Sequence, residues 1–129
     1  KYMTTLIICL FIALLLPFVA KLPVAIAMSK LGGYNNNHPR SQQDKLTGFG
    51  ARALAAHQNA FESAIIFAPA ILLAIATNHT GEFIQQLAIT HVVARVLYNA
   101  LYLYNKGTLR SLVWAVGVLS SFTIIWQCI

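Results

Sequence analysis

The chain has 129 residues, 58% of them hydrophobic and 9% charged, against roughly 45–50% and about 25% in soluble domains. So few charges cannot clothe a water-facing surface, so composition and a mean hydropathy of +0.68 exclude a soluble globule and point to an all-α integral membrane protein. Nine Lys and Arg against three Asp and Glu give a net charge of +6, but long apolar runs separate the basic residues, which excludes a nucleic-acid-binding face.

A hydrocarbon core needs about 20 mostly apolar residues per crossing helix, and four stretches qualify: residues 2–28, 54–77, 83–104 and 109–129. They predict one transmembrane domain over 1–129, a four-helix bundle with no room for a soluble domain. The first stretch is expected to stay as a helix rather than be cleaved as a signal peptide. Phe18 stands where a small residue is needed before a cut after Ala20. A long polar connection, 29–52, and two tight ones, 78–82 and 105–108, force antiparallel neighbours. Thr47-Gly48-Phe49-Gly50 punctuates the start of the second span, and Gly107-Thr108 the stop of the third and start of the fourth. Cys9 and Cys128 lie in apolar stretches at opposite ends, so neither a metal site nor a disulfide framework is indicated.

Lys30, Arg40, Lys45, Arg52, Lys106 and Arg110 flank the first and third connections, Lys1 alone lies on the other side, and Lys21 and Arg95 fall within spans. The positive-inside tendency then places loops 29–52 and 105–108 in the cytoplasm. Asn78-His79-Thr80 fits a glycosylation pattern on the opposite side, a motif common by chance.

Ionisable groups inside hydrocarbon cost several kcal/mol unless paired or hydrated, and so mark function by default. Measured from Leu54 and Tyr104, Glu62 and Arg95 both lie about 12–14 Å deep on antiparallel neighbours. A direct Glu62–Arg95 pair is the natural expectation, either as glue between helices or as part of a site. Arg52, Asn59 and Glu62 share a helical face at i, i+7 and i+10, beside a small-residue stripe of Ala60, Ala64 and Ala68 suited to close helix approach. The third span carries a polar stripe of His91, Arg95, Tyr98 or Asn99, and Tyr102. Arg110 and Ser111 open the fourth span at that level. An arginine at a helix start gains nothing from the macrodipole, so Arg110 is either an anchor to lipid phosphates or the partner of an anion in a site. Lys21, between Pro17 and Pro23, reads as a snorkelling residue on a bent helix.

The run Arg52-Ala-Leu-Ala-Ala-His57-Gln-Asn59-Ala-Phe-Glu62 resembles the second-helix signature of the MAPEG family, membrane-associated proteins in eicosanoid and glutathione metabolism. Arg95-Val-Leu-Tyr-Asn-Ala-Leu-Tyr102, then Leu109-Arg110-Ser111, is similar to the family's third- and fourth-helix blocks, and Asn37-His38-Pro39-Arg40 to its first loop. The resemblance implies four transmembrane helices per subunit, a homotrimer, and glutathione sites between subunits near the cytoplasmic side. Carried onto matching positions, Asn59 and Glu62 hold the tripeptide's polar ends, Arg52 and Tyr102 border it, and Arg95, Ser111 and Lys30 complete the set. Arg110 faces the thiol as the catalytic residue. Lys30 stands where some relatives carry arginine, and Ala55 and Gln58 replace further arginines, which removes two charge-assisted anchors.

The resulting expectation is a glutathione transferase or peroxidase acting on lipophilic electrophiles or hydroperoxides through a thiolate. The alternative is a non-enzymatic module that holds lipid or a partner helix. A transporter using Glu62, Arg95 and His91 ranks third, because broken helices and internal repeats are lacking. Gly32-Gly33-Tyr34-Asn35 leading into the loop looks like bacterial relatives and so points to a bacterial inner membrane.

Overall fold

The computed structural model describes residues 2–129, so Lys1, counted above on the far side, lies outside the described residues. Five α-helices follow one another: α1 (Tyr2–Ser29), α2 (Pro39–Gln43), α3 (Phe49–Ala76), α4 (Glu82–Leu103) and α5 (Gly107–Gln127). The expected four helices thus gain a fifth, a short one inside the first loop. Three of them, α1, α3 and α5, are long and apolar enough to cross a membrane. Helix α4 has the length, 22 residues or about 33 Å, but its Gln85, Gln86, His91, Arg95 and Asn99 lower its apolarity.

Helix starts are set by backbone chemistry rather than by hydropathy, and this moves one boundary appreciably. The second span begins at Phe49 instead of residue 54, directly after Gly48 at φ +54. Arg52 therefore belongs to α3 and not to the loop. Gly107, expected as a helix stop, is the first residue of α5. Asparagines close the two preceding helices. Asn78 and Asn105 adopt φ +61 and +60. In each case the last turn closes by paired reversals, His79 N to Ala74 O with Asn78 N to Ile75 O, and Lys106 N to Leu101 O with Asn105 N to Tyr102 O. This is the Schellman pattern, with asparagine tolerating the left-handed conformation that usually calls for glycine. Asn78 of the glycosylation pattern is thus an exposed turn residue.

Helix α1 packs chiefly on α3 and α4 chiefly on α5, while α3 also meets α4 and α5 and α1 also meets α4. The long loop and the α4–α5 turn share one end of this arrangement, called here the loop end. Pro17 and Pro23 lie within the uninterrupted α1, and Pro69 within α3. The loop is stitched down by buried Gln42, whose amide donates to the Met28 and Gly33 carbonyls at 3.2 and 2.8 Å and accepts from Asn35 N at 2.9 Å.

Two apolar clusters bracket the bundle. One, far from the loop, joins all four long helices through residues such as Leu6, Phe67, Ile84 and Ile124. The other, at the loop end, contains Val24, Met28 and Ala53. Large apolar side chains face outward, with Ile65 72% and Trp126 70% exposed, as expected where the solvent is lipid. Lipid offers no hydrophobic drive between helices, so close packing of small residues must hold them. Ala53, Ala56, Ala60 and Ala64 on α3 are accordingly buried, and Ala68 half-buried.

Gly50 marks the closest approach: a Cβ there would lie 3.0 Å from both Ala27 Cβ and Leu46 Cδ2. Gly50→Val is expected to lower stability by about 1–3 kcal/mol, read as a reduced Tm in detergent. Gly107→Ala, where a Cβ meets open space, should leave Tm unchanged or raise it.

Candidate functional site

Between the two apolar clusters lies a polar layer. Arg52 Nη2 donates to the Leu103 carbonyl at 3.5 Å, which levels the start of α3 with the end of α4. Asn59 lies seven residues on from Arg52, and Arg95 eight residues back from Leu103. Antiparallel helices of equal rise thus bring them opposite one another. Arg95, only 2% exposed, donates from Nη2 to Asn59 Oδ1 at 2.6 Å, and Asn59 Nδ2 donates to Glu62 Oε1 at 3.0 Å. The expected direct Glu62–Arg95 pair is therefore replaced by a relay through a neutral amide. The reason lies in the earlier start of α3, at Phe49 rather than residue 54. Glu62 is thirteen residues into α3, about 20 Å, whereas Asn59 is the residue level with Arg95. Glu62 remains exposed on the single chain, and Arg95 Nη1 is buried with no protein partner.

From Arg95 the layer continues toward the loop end as a ladder of rings and cations. The Arg95 guanidinium carbon sits 4.1 Å from the Tyr98 ring centroid, Tyr98 meets Tyr102 edge-on at 5.6 Å, and the Arg110 guanidinium carbon lies 4.3 Å from the Tyr102 ring. Residues 95, 98 and 102 recur at i+3 and i+4 and so stack along one helical face. Each cation over a ring contributes about 0.5–2 kcal/mol, more where water is excluded. Apart from that ring contact, the Arg110 side chain makes no hydrogen bond or ion pair among the described residues. It borders a cavity of about 180 Å³ lined by Tyr98, Arg110, Ser111 and Trp114. The ladder thus joins Asn59, Glu62, Arg95, Tyr102 and Arg110, with Ser111 at its end.

Two expected residues stand elsewhere. Arg52 serves the carbonyl end of α4, where a cation is favoured by the macrodipole, and its Nε is buried without a partner. Lys30 is exposed and lines a different cavity, of about 480 Å³, among Leu22, Ile26, Leu46 and Phe49.

The stripe on α4 resolves in favour of Tyr98, since the Asn99 amide turns back to the Arg95 carbonyl at 3.0 Å. His91 is held in the packed interior. It stacks on Phe67 with centroids 3.9 Å apart and planes 3° from parallel, and its Nδ1 lies 3.0 Å from the Gly117 carbonyl and 3.2 Å from Ser121 Oγ. A carbonyl only accepts, so Nδ1 carries the proton. His57 likewise donates from Nδ1 to the Pro17 carbonyl, at 2.7 Å. Trp114 went unnoticed in the sequence, although its i+4 spacing from Arg110 places it on the same face.

Helical throughout its regular structure, apolar outside, and carrying a buried cation–tyrosine layer in its middle, the molecule is of the integral membrane class. The MAPEG family model matches residues 5–129, and the chain belongs to that family. Comparison with curated proteins and with solved structures finds no match.

Removing Asn59 leaves a buried guanidinium without its acceptor. Asn59→Ala is expected to cost about 3–5 kcal/mol, read as a fall in Tm in detergent. Glu62→Gln keeps an oxygen for the Asn59 amide and should cost much less. Equal losses in the two variants would show that the relay does not hold α3 to α4.

Proposed function

We propose that this chain is a membrane-bound glutathione transferase or peroxidase that acts on lipophilic electrophiles or hydroperoxides. Membership of the MAPEG family supports the glutathione-metabolism setting. The observation that carries the finer reading is Arg110, a guanidinium half-buried over Tyr102 beside a cavity, with no counter-ion among the described residues.

The donor set suits an anionic thiol peptide. Glutathione carries two carboxylates and one ammonium. Arg95 offers positive charge, Glu62 offers a carboxylate for the ammonium, and Asn59 can donate and accept. Ala55 and Gln58 offer no charge, so binding relies on fewer charge-assisted contacts. When bound, glutathione supplies a thiol whose deprotonated form is the nucleophile. Arg110 stabilises that negative charge, each unit by which it lowers the thiol pKa corresponding to about 1.4 kcal/mol. The Tyr102 ring beneath its planar guanidinium fixes its position. Ser111 and Trp114 wall the cavity, and Tyr102 borders the peptide. Lys30 contributes only where a neighbouring subunit brings its own cavity alongside.

The reading extends to a homotrimer. Glu62 is a carboxylate on an outward helix face, costly in lipid, and a neighbouring subunit would cover it. It also extends to α4 as a fourth crossing helix, and to a bacterial inner membrane with the loop end, rich in Lys and Arg, in the cytoplasm. A second reading, a non-enzymatic lipid-holding module, draws support from the largely apolar cavity of about 480 Å³ beside Lys30.

The decisive experiment mixes the detergent-purified protein with glutathione and a chromogenic electrophile. Thiolate absorbance and conjugation are expected in the wild type. Arg110→Ala should lose at least about tenfold in rate, equivalent to about 1.4 kcal/mol or more, while Arg110→Lys retains part of it. Undiminished conjugation in a folded Arg110→Ala protein would reject the role. Absence of any thiolate signal in the wild type, with lipid co-purifying, would favour the second reading.

A further inference from the structure

A second cationic cavity lies on the α1–α3 side of the bundle, away from the tyrosine ladder. Its volume is about 310 Å³, and its walls include Lys21 of α1, Arg40 and Gln43 of α2, and Gln58 and Phe61 of α3. Three elements that are remote in sequence thus bring two cations and two amides to one space. None of the three acidic residues of the chain, Asp44, Glu62 and Glu82, lines it. Two cations that line one space repel each other, and the half-buried Lys21 is the less hydrated of the two. An anion placed between them removes that repulsion.

The vertical placement identifies the kind of anion. The Gln42 amide fixes α2 to the Met28 carbonyl at the loop end of α1, so Arg40 approaches the cavity from the membrane surface. Lys21 lies seven residues before Met28, about 10 Å further in. Its ammonium nevertheless reaches up to within 5.8 Å of the ring centroid of Tyr34 in the loop. The cavity therefore runs from the interfacial level down toward the hydrocarbon. At its lower end the surface turns aromatic: Phe18 is 65% and Phe61 41% exposed, and the two meet edge-on at 5.7 Å. Negative charge is welcomed above and an acyl chain below.

We propose that this cavity binds an anionic phospholipid, with its phosphate between Arg40 and Lys21, amide donors from Gln43 and Gln58, and an acyl chain along Phe18 and Phe61. Basic pockets between membrane helices are a recognised form of headgroup site. Here the short helix α2 has a definite task, since without it Arg40 would not reach the space above Lys21. The cavity shares no lining residue with the one beside Arg110, and Gln58, which brings no charge to the thiol peptide, is the one position that both readings use.

The test is native mass spectrometry of the full chain in detergent, titrated separately with phosphatidylglycerol and with phosphatidylcholine of the same acyl composition. Wild-type protein should bind phosphatidylglycerol about tenfold or more tightly than phosphatidylcholine, the gap expected from roughly one charge-assisted contact. Lys21→Gln/Arg40→Gln should abolish that preference. Arg40→Gln alone, at an exposed position on α2 that cannot disturb the long helices, should reduce it. Equal binding of the two lipids by the wild type, or an undiminished preference in the double variant, would overturn the proposal. Release of phosphatidylglycerol by millimolar inorganic phosphate would assign the cations to a free anion and also overturn it.

Discussion

A guanidinium buried to 2% exposure in the middle of a lipid-facing bundle is the constraint around which the other polar residues arrange themselves. An isolated cation there would cost several kcal/mol even after relaxation. The chain meets that cost with Asn59 Oδ1 on one side of Arg95 and the face of Tyr98 on the other. Both contacts require α3 and α4 to hold a single antiparallel register, so the arginine fixes the relative height of the two helices. Arg52 repeats the constraint one level higher by reaching the carbonyl end of α4.

The register in turn determines what the loop end can do. Tyr102 falls beneath Arg110 because it lies seven residues beyond Arg95 on the same face. The cation at the start of α5 is thereby presented to a cavity instead of collapsing onto a carboxylate. The Gly117 carbonyl of α5 accepts from His91 of α4. His91, stacked on Phe67 and bonded to α5, acts as a polar rivet joining α3, α4 and α5. That fixed position does not suit a relay in which the ring must turn.

The two cationic spaces differ in ways that follow from their surroundings. Beside Arg110 the walls are tyrosine, tryptophan and serine, rigid and able to position a small polar ligand. Beside Lys21 and Arg40 the walls are amide above and aromatic below, graded in polarity as the membrane interface is. Both exploit the same surplus: with nine Lys and Arg against three acids, most cations have no carboxylate available within the chain and must be matched by rings, carbonyls or external anions.

Composition and periodicity were enough to read an all-helical membrane protein, the approximate helix extents, and the family blocks around Arg52, Asn59, Glu62, Arg95, Tyr102 and Arg110, since these depend on residue type and helical spacing alone. Three matters needed the tertiary structure. Hydropathy reports burial in lipid and is blind to a helix that starts in polar sequence, so the start of α3 at Phe49 was missed, and with it the insertion of Asn59 between Arg95 and Glu62. The helix-closing role of Asn78 and Asn105 depends on backbone angles that no hydrophobic pattern encodes. The approach of Arg40 to Lys21 depends on α2 folding back through Gln42, a contact 14 residues from Met28 along the chain. Local periodicity cannot express such contacts, because they exist only once separate segments have packed.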